Sequence, residues 1–273
     1  MHHSPTGQFY GQTNKTLHLG GLTLTDTEYT LPKVDWHYHE NAYFTFLIEG
    51  RVIEGNKKEV YDCPAGTLLF HHWQDPHYNI KPEGYTRGFH VEMDKQWFDR
   101  FFPDAHRLQG SLNIKHPDLK LLMYRIFRES KRQDRTSNLS IESLLTETLS
   151  KLQQIETKSA SKKPQWVPVI DEILHEQLTD DFSLEQLAKL CQIHPVHLSK
   201  DFPKYFGCNL GAYIRKLRVQ KALELMPSQN SSLTEIAHQC GFYDQSHFIR
   251  SFKSFNGNNP ADYRKVLLQR SKR

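Results

Sequence analysis

The chain has 273 residues, 35 Lys and Arg against 31 Asp and Glu, and a formal charge of +4, which leaves room for two domains, each with its own core. No secretory signal and no apolar run long enough to span a bilayer is read in it, so the expected location is cytoplasmic and membrane functions are excluded. Cys63, Cys191, Cys208 and Cys240 lack a zinc-finger spacing and read as reduced, mostly core residues.

From Leu17 to about Val91, apolar and polar residues alternate over short runs such as Tyr43–Ile48, Arg51–Ile53 and Thr67–Phe70, broken at Glu49-Gly50 and Glu54-Gly55-Asn56. Short strands with such turns predict an all-β barrel or sandwich. Within it, His37 and His39 stand at i and i+2, which puts both on one face of a strand, and His77 from another strand can join them. His71 and His72 fall outside that register, and His2-His3 read as an ordinary mobile terminus. A helical stretch follows, with Leu119, Leu122, Met123, Ile126 and Phe127 at helical spacing, a polar break at 132–138, and Ile141, Leu144, Leu145, Leu149 and Leu152 continuing the pattern. Residues 158–166, short, polar and basic, are the expected linker between a domain at 1–157 and one at 167–273.

The last third carries a repeat. Ser183 to Cys191 is echoed by Ser232 to Cys240, a shift of 49 positions, and each copy is followed by a turn and a second helical pattern reaching Phe202…Gly207 or Phe252…Gly257. Leu184, Leu187, Ala188, Ile193, Leu198 and Phe202 supply a small core in the first copy, and Leu233, Ile236, Ala237, Phe242, Phe248 and Phe252 in the second. Ser232 with Glu235 spells a capping box, Pro195 suits a first helical position, and Asp244 suits an N-cap. A helix from Asn209 to Met226 joins the copies and ends at Pro227. Two helix-turn-helix units on a rigid connector predict binding of double-stranded DNA in successive major grooves.

Because a helix that buries Leu198 and Phe202 presents the intervening positions outward, Val196, Ser199 and Lys200 are the expected DNA-facing residues of the first unit. Gln245, Ser246, Ile249 and Arg250 are their counterparts in the second. Arginine can pair bidentately with guanine and glutamine with adenine, Val196 and Ile249 suit thymine methyls, and Lys200 and Arg250 compete for roles as phosphate clamps. The excess of Lys and Arg from Arg215 onward suits phosphate neutralisation.

Phe242 to Lys253, followed by Gly257, Pro260 and Tyr263-Arg264, resembles the signature of the AraC/XylS family of bacterial transcriptional regulators. His197 to Phe202 matches as well, with Pro203 where most relatives carry a basic residue, a departure that a kinked helix would express. His37-Tyr38-His39, Gly50, Pro64-Ala65-Gly66 and Pro76-His77 resemble the two motifs of the cupin barrel, which such regulators commonly carry as an effector sensor. The resemblance implies an α+β chain: an N-terminal cupin-like β-barrel with following helices that dimerise, and a C-terminal all-α domain with two helix-turn-helix units.

It also implies a small-molecule effector in the barrel, homodimers, transcription activation more often than repression, contact with RNA polymerase in an activator, and neither catalysis nor cofactor. The expected pocket is Tyr10, His37, His39, Phe44, Phe46, Trp73 and His77, suited to a planar metabolite or a sugar. Metal-binding cupins add a glutamate at the register of Tyr43 or Phe44, which is missing here, so no metal is assigned, although three histidines alone can hold zinc. The rival class is a metal-dependent cupin enzyme, or a metal sensor, with a DNA-binding tail.

Overall fold

The computed structural model describes residues 2–102, 110–132, 134–159, 163–227 and 230–269, which form two compact units, Met1–Glu156 with Lys265–Arg273, and Thr157–Arg264. No helix among the described residues is long and apolar enough to cross a membrane. The linker expected at 158–166 has its centre, 160–162, outside the described residues.

The first unit is built on two sheets. One has five strands in the order β1 (His2–Ser4), β4 (Lys33–His39), β9 (His77–Ile80), β6 (Arg51–Asn56) and β7 (Val60–Pro64). The other has six: β11 (Ser111–Ile114), β8 (Leu68–His71), β5 (Ala42–Glu49), β10 (Arg87–Met93), β3 (Leu22–Glu28) and β2 (Gln12–Leu19). The strands thus form two sheets rather than one closed ring, and they extend past the expected 17–91 at both ends. His2 and His3, expected to be mobile, pair in parallel with His37 and Tyr38, because the edge of β4 offers them unpaired backbone groups.

Every position from Ala42 to Ile48 in β5 is buried. One face of this strand meets the other sheet, where Tyr43 reaches His77, and the opposite face meets helices, where Phe46 packs edge-on against Tyr124 with ring centroids 4.6 Å apart. After α1 (Lys95–Phe101), those helices are α2 (Pro117–Arg132) and α3 (Ser137–Ser159), parted at the expected polar break. The apolar stripe Leu119, Leu122, Met123, Ile126 and Phe127 is buried, with Phe127 5.1 Å from Phe89 of β10. An ionic cluster joins the same surfaces. Arg87 of β10 donates through Nε and Nη2 to Asp26 of β3 at 2.7 and 2.6 Å, and Lys131 of α2 adds an ammonium to the same carboxylate.

The second unit runs from α4 (Trp166–Glu176) through α5 (Leu184–Leu190), α6 (Pro195–Phe206), α7 (Leu210–Leu225), α8 (Leu233–Gln239) and α9 (Gln245–Asn256) into α10 (Pro260–Leu267). Trp166, Ile170, Leu174, Leu187, Leu198, Phe202, Phe206, Tyr213 and Leu217 form the core of its first half. α7 is buried on several sides, and its Arg218 donates to the carbonyl oxygens of Leu178 and Asp180 at 3.1 and 3.2 Å, satisfying groups a loop would otherwise leave to water. Cys191 and Cys240 are both buried.

Candidate functional site

The second helix of each helix-turn-helix unit, α6 or α9, is set by its caps. The hydroxyls of Ser183 and Ser232 accept from the backbone N–H of Gln186 and Glu235, whose side chains in turn accept from the serine N–H groups, so each unit opens on a capping box. α6 is capped by the His194 ring, which accepts from Val196 N, with Pro195 in the first turn; α9 is capped by Asp244, which accepts from His247 N at 2.6 Å. Four residues separate α5 from α6 and five separate α8 from α9, so the second turn is one residue longer than the first. Both helices end on a glycine in the left-handed region, Gly207 at φ 74° and Gly257 at φ 72°, where a Cβ would be strained. Pro203 lies inside α6, which continues through it to Phe206, so the expected departure is accommodated without ending the helix.

Leu198, Phe202, Phe248 and Phe252 are fully buried. Val196, Ser199, Lys200, Gln245, Ser246 and Arg250 are exposed, and Ile249 is half-buried. The Gln245 side-chain oxygen accepts from the Thr234 hydroxyl at 3.0 Å, which orients its amide and leaves the NH2 free to donate to an acceptor such as a base edge. Sequence reasoning missed Tyr243, 88 % exposed in the turn before α9; a large aromatic in a turn whose neighbour Phe242 is core was the available signal.

Between the two sheets lies the second candidate site. His37, His39 and His77 are buried and offer ring nitrogens that all lie within 4.8 Å of one another. Nδ1 of His37 donates to the Asp35 carbonyl at 2.9 Å and Nδ1 of His77 to the Asp75 carbonyl at 3.1 Å, which fixes both tautomers with Nε2 as the unprotonated nitrogen. His77 Nε2 meets the Tyr43 hydroxyl at 3.0 Å. Burial pushes all three imidazoles below the ordinary histidine range, His77 to about 3, so they stand neutral.

Three neutral imidazoles suit zinc in donor chemistry, and the backbone carbonyls of Asp35 and Asp75 orient two of them; no carboxylate or thiol joins them among the described residues. Tyr10 packs edge-on to His37 at 4.9 Å. The remaining expected pocket residues lie elsewhere. Phe44 and Phe46 take the opposite parity on β5, against Phe70 and Tyr124, and Trp73 packs on Phe98 of α1. In their place stand Tyr43, His71 and His90. His71, expected to be out of register, stacks on Tyr43 at 4.5 Å and on His77 at 4.9 Å, because β8 pairs directly with β5. Its Nε2 lies 3.3 Å from Oε1 of Glu54, whose carboxyl burial pushes up to about 8.

Most conspicuous is Phe9. Its ring stacks on His90 at 3.5 Å and 5° and on His39 at 4.7 Å and 21°, with Tyr43 edge-on at 5.4 Å. His90 is itself held by Thr25 and Tyr29. The site therefore contains a slot for a flat ring, flanked by neutral nitrogens and filled by the chain's own N-terminal segment. Beside that segment is a cavity of about 280 Å³ whose lining includes Ser4, Phe9 and Tyr10.

An AraC-like ligand binding domain family matches residues 19–149, and a helix-turn-helix domain family matches residues 187–266. Among curated proteins, the bifunctional transcriptional activator/DNA repair enzyme AdaA of Bacillus subtilis is 32% identical over 102 residues, 37% of this chain and 48% of that protein, so less than half of AdaA is spanned. The HTH-type transcriptional regulator YijO of Escherichia coli is 25% identical over 213 residues, 76% of this chain and 73% of that one. ToxT from Vibrio cholerae aligns in structure over 90% of this chain and 99% of its own, with 14% identity and a TM-score of 0.40. Since one family match falls on the two-sheet unit and the other on the paired helix-turn-helix units, the chain belongs to the AraC/XylS family of transcriptional regulators.

Proposed function

We propose that this chain is a cytoplasmic one-component regulator, without catalytic activity, that reads double-stranded DNA through Val196, Ser199 and Lys200 of α6 and Gln245, Ser246, Ile249 and Arg250 of α9. The observation that carries this reading is the matched pair of capped twelve-residue helices, each burying one aromatic or aliphatic face and exposing the other. A small-molecule effector bound beside Tyr10, His37, His39 and His77 shifts the regulator between states of different operator affinity. The regulator acts as an activator that engages RNA polymerase. Homodimerisation is part of the same reading; because α2 and α3 spend their apolar stripe within their own chain, the contact must use other faces.

Arg250→Ala is expected to weaken specific DNA binding by about 1–3 kcal/mol and to relax preference at one base position. Selection of bound fragments from random DNA, done with both proteins, measures this. Equal weakening on every sequence would make Arg250 a phosphate contact instead.

A second reading, a metal sensor, is favoured by the 4.8 Å cluster of His37, His39 and His77. Zinc bound there would act as a Lewis acid or a structural tie, held by Nε2 of His37 and His77 and a ring nitrogen of His39. For an organic effector, the full chain purified after zinc loading and desalting is expected to carry no stoichiometric metal. One zinc per chain, lost in His77→Ala, would transfer the sensing role to the metal.

A further inference from the structure

A cavity of about 340 Å³ lies at the end of the same unit, outside the histidine cluster, and its described lining includes three carboxylates, Glu40, Glu92 and Asp94, but neither lysine nor arginine. The decisive residue is Glu92. Pairing of β10 with β3 and β5 sets Glu92 opposite Thr23 and Tyr43, on the inner face two residues from His90, and its side chain is 1 % exposed. Its Oε2 accepts from the backbone N–H of Gly7 at 2.5 Å, while Oε1 is buried and has no hydrogen-bond partner.

A buried carboxylate oxygen without a donor or counter-charge costs free energy that a positive ligand would recover. In agreement, burial pushes Glu92 up to about 7 against the pull of the Gly7 N–H, and Glu40 pushes in the same direction as burial. The other carboxylates are placed by the fold. Asp94 caps α1 by accepting from Trp97 N, and a Cβ on Gly21 would stand 2.9 Å from Asp94 Oδ2, so glycine there, at φ +96°, keeps room for the carboxylate. His18 is tied to Thr23 through Nδ1 and Asn41 to Thr6.

We propose that this cavity is a ligand site for a small organic ammonium ion, with Glu92 as the buried counter-charge and Glu40 and Asp94 at its rim. Size and spacing select an organic cation over a bare metal ion. The cavity holds about ten times the roughly 30 Å³ a water molecule takes in the liquid. Among the described residues, Glu40, Glu92 and Asp94 do not bring three ligand atoms within 4.8 Å of one another, so they offer no ready-made carboxylate cage for a shared divalent ion. The site also has a mechanical consequence. Ionised Glu92 is a stronger acceptor for Gly7 N–H than the neutral acid, so an ammonium ion here holds down the segment that carries Phe9 into the ring slot.

The test uses the full chain, with calorimetric titration of methylammonium, choline and putrescine, the neutral dimethylbutanol isostere of choline, and magnesium chloride. Saturable binding of at least one ammonium probe is expected, without binding of the isostere. Glu92→Gln should weaken that binding about tenfold or more, the loss of one charge-assisted contact. Glutamine keeps an acceptor for Gly7 and matches the protonated acid in shape; should the variant fail to fold, Glu40→Gln, at an exposed position, is expected to weaken binding in the same direction. Absence of binding at millimolar probe, equal affinity in both variants and the parent, or binding of magnesium in preference to the amines would each overturn the proposal.

Discussion

Asp26→Ala is expected to destabilise the two-sheet unit by about 3–5 kcal/mol, the usual cost of removing one partner from a buried ionic group. The carboxylate is 3 % exposed, Arg87 is 0 % exposed and Lys131 is 9 % exposed at the side chain, so the variant leaves two cations in the interior without a carboxylate between them. Both cations also lie over the Phe127 ring, at 5.3 and 5.2 Å, so the loss reaches the packing of α2 on the sheet. The pH dependence carries the same signature. Burial pushes the Asp26 carboxyl up, and the hydrogen bonds and charges of Arg87 and Lys131 outweigh this and hold it below the ordinary carboxylate range. A carboxylate depressed in the folded state contributes its full stability above its unfolded value of about 3.9 and loses it as pH falls through the lower folded value. Urea unfolding of parent and Asp26→Ala should therefore differ by the full amount at pH 7 and converge in strong acid. A difference under about 1 kcal/mol at neutral pH would show that the cluster contributes little net stability.

Phe248→Ala is the second large effect. Phe248 is fully buried between Phe242 at 5.2 Å and Phe252 at 5.7 Å, and Phe252 passes the contact on to Tyr263 at 5.6 Å. Truncation removes the ring from a core only a few side chains wide, and the cavity term adds to the transfer term for about 3–5 kcal/mol. The first helix-turn-helix has its own core around Leu187, Leu198 and Phe202 and should survive. Footprinting on a selected operator is thus expected to keep protection over one block and lose it over the other. Loss of both blocks together would mean that the two units fold as a single cooperative element through α7.

The helical unit was almost wholly legible in the amino-acid order, because its signals are local. Ser183, Ser232, Asp244 and Pro195 act within four residues of themselves, and the apolar period names Leu198, Phe202, Phe248 and Phe252 without reference to any distant segment. The same holds for the exposed positions of α6 and α9, which are the complement of the buried ones.

The inner pocket was legible only in part. Two histidines at i and i+2 must share a face, so His37 and His39 came out together; His77 was expected to join them from another strand, and the tertiary structure brings one of its ring nitrogens within 4.8 Å of theirs. Parity on β5 could not be read, since a strand covered on both sides is apolar at every position and shows no alternation. Phe44 and Phe46 were accordingly assigned to the wrong face, and Tyr43 was overlooked. His71, Glu54 and His90 enter through strand pairing, which joins residues tens of positions apart and leaves no mark on the spacing of any one segment. Phe9 and Glu92 complete the picture: the first neighbours the expected Tyr10, but only the fold stacks its ring on His90, and the second is brought inside by the pairing of β10 with β3 and β5. Local chemistry by itself determined α6 and α9 with their caps and buried faces; the contents of the space between the sheets were decided by register and layer packing, which depend on the whole unit at once.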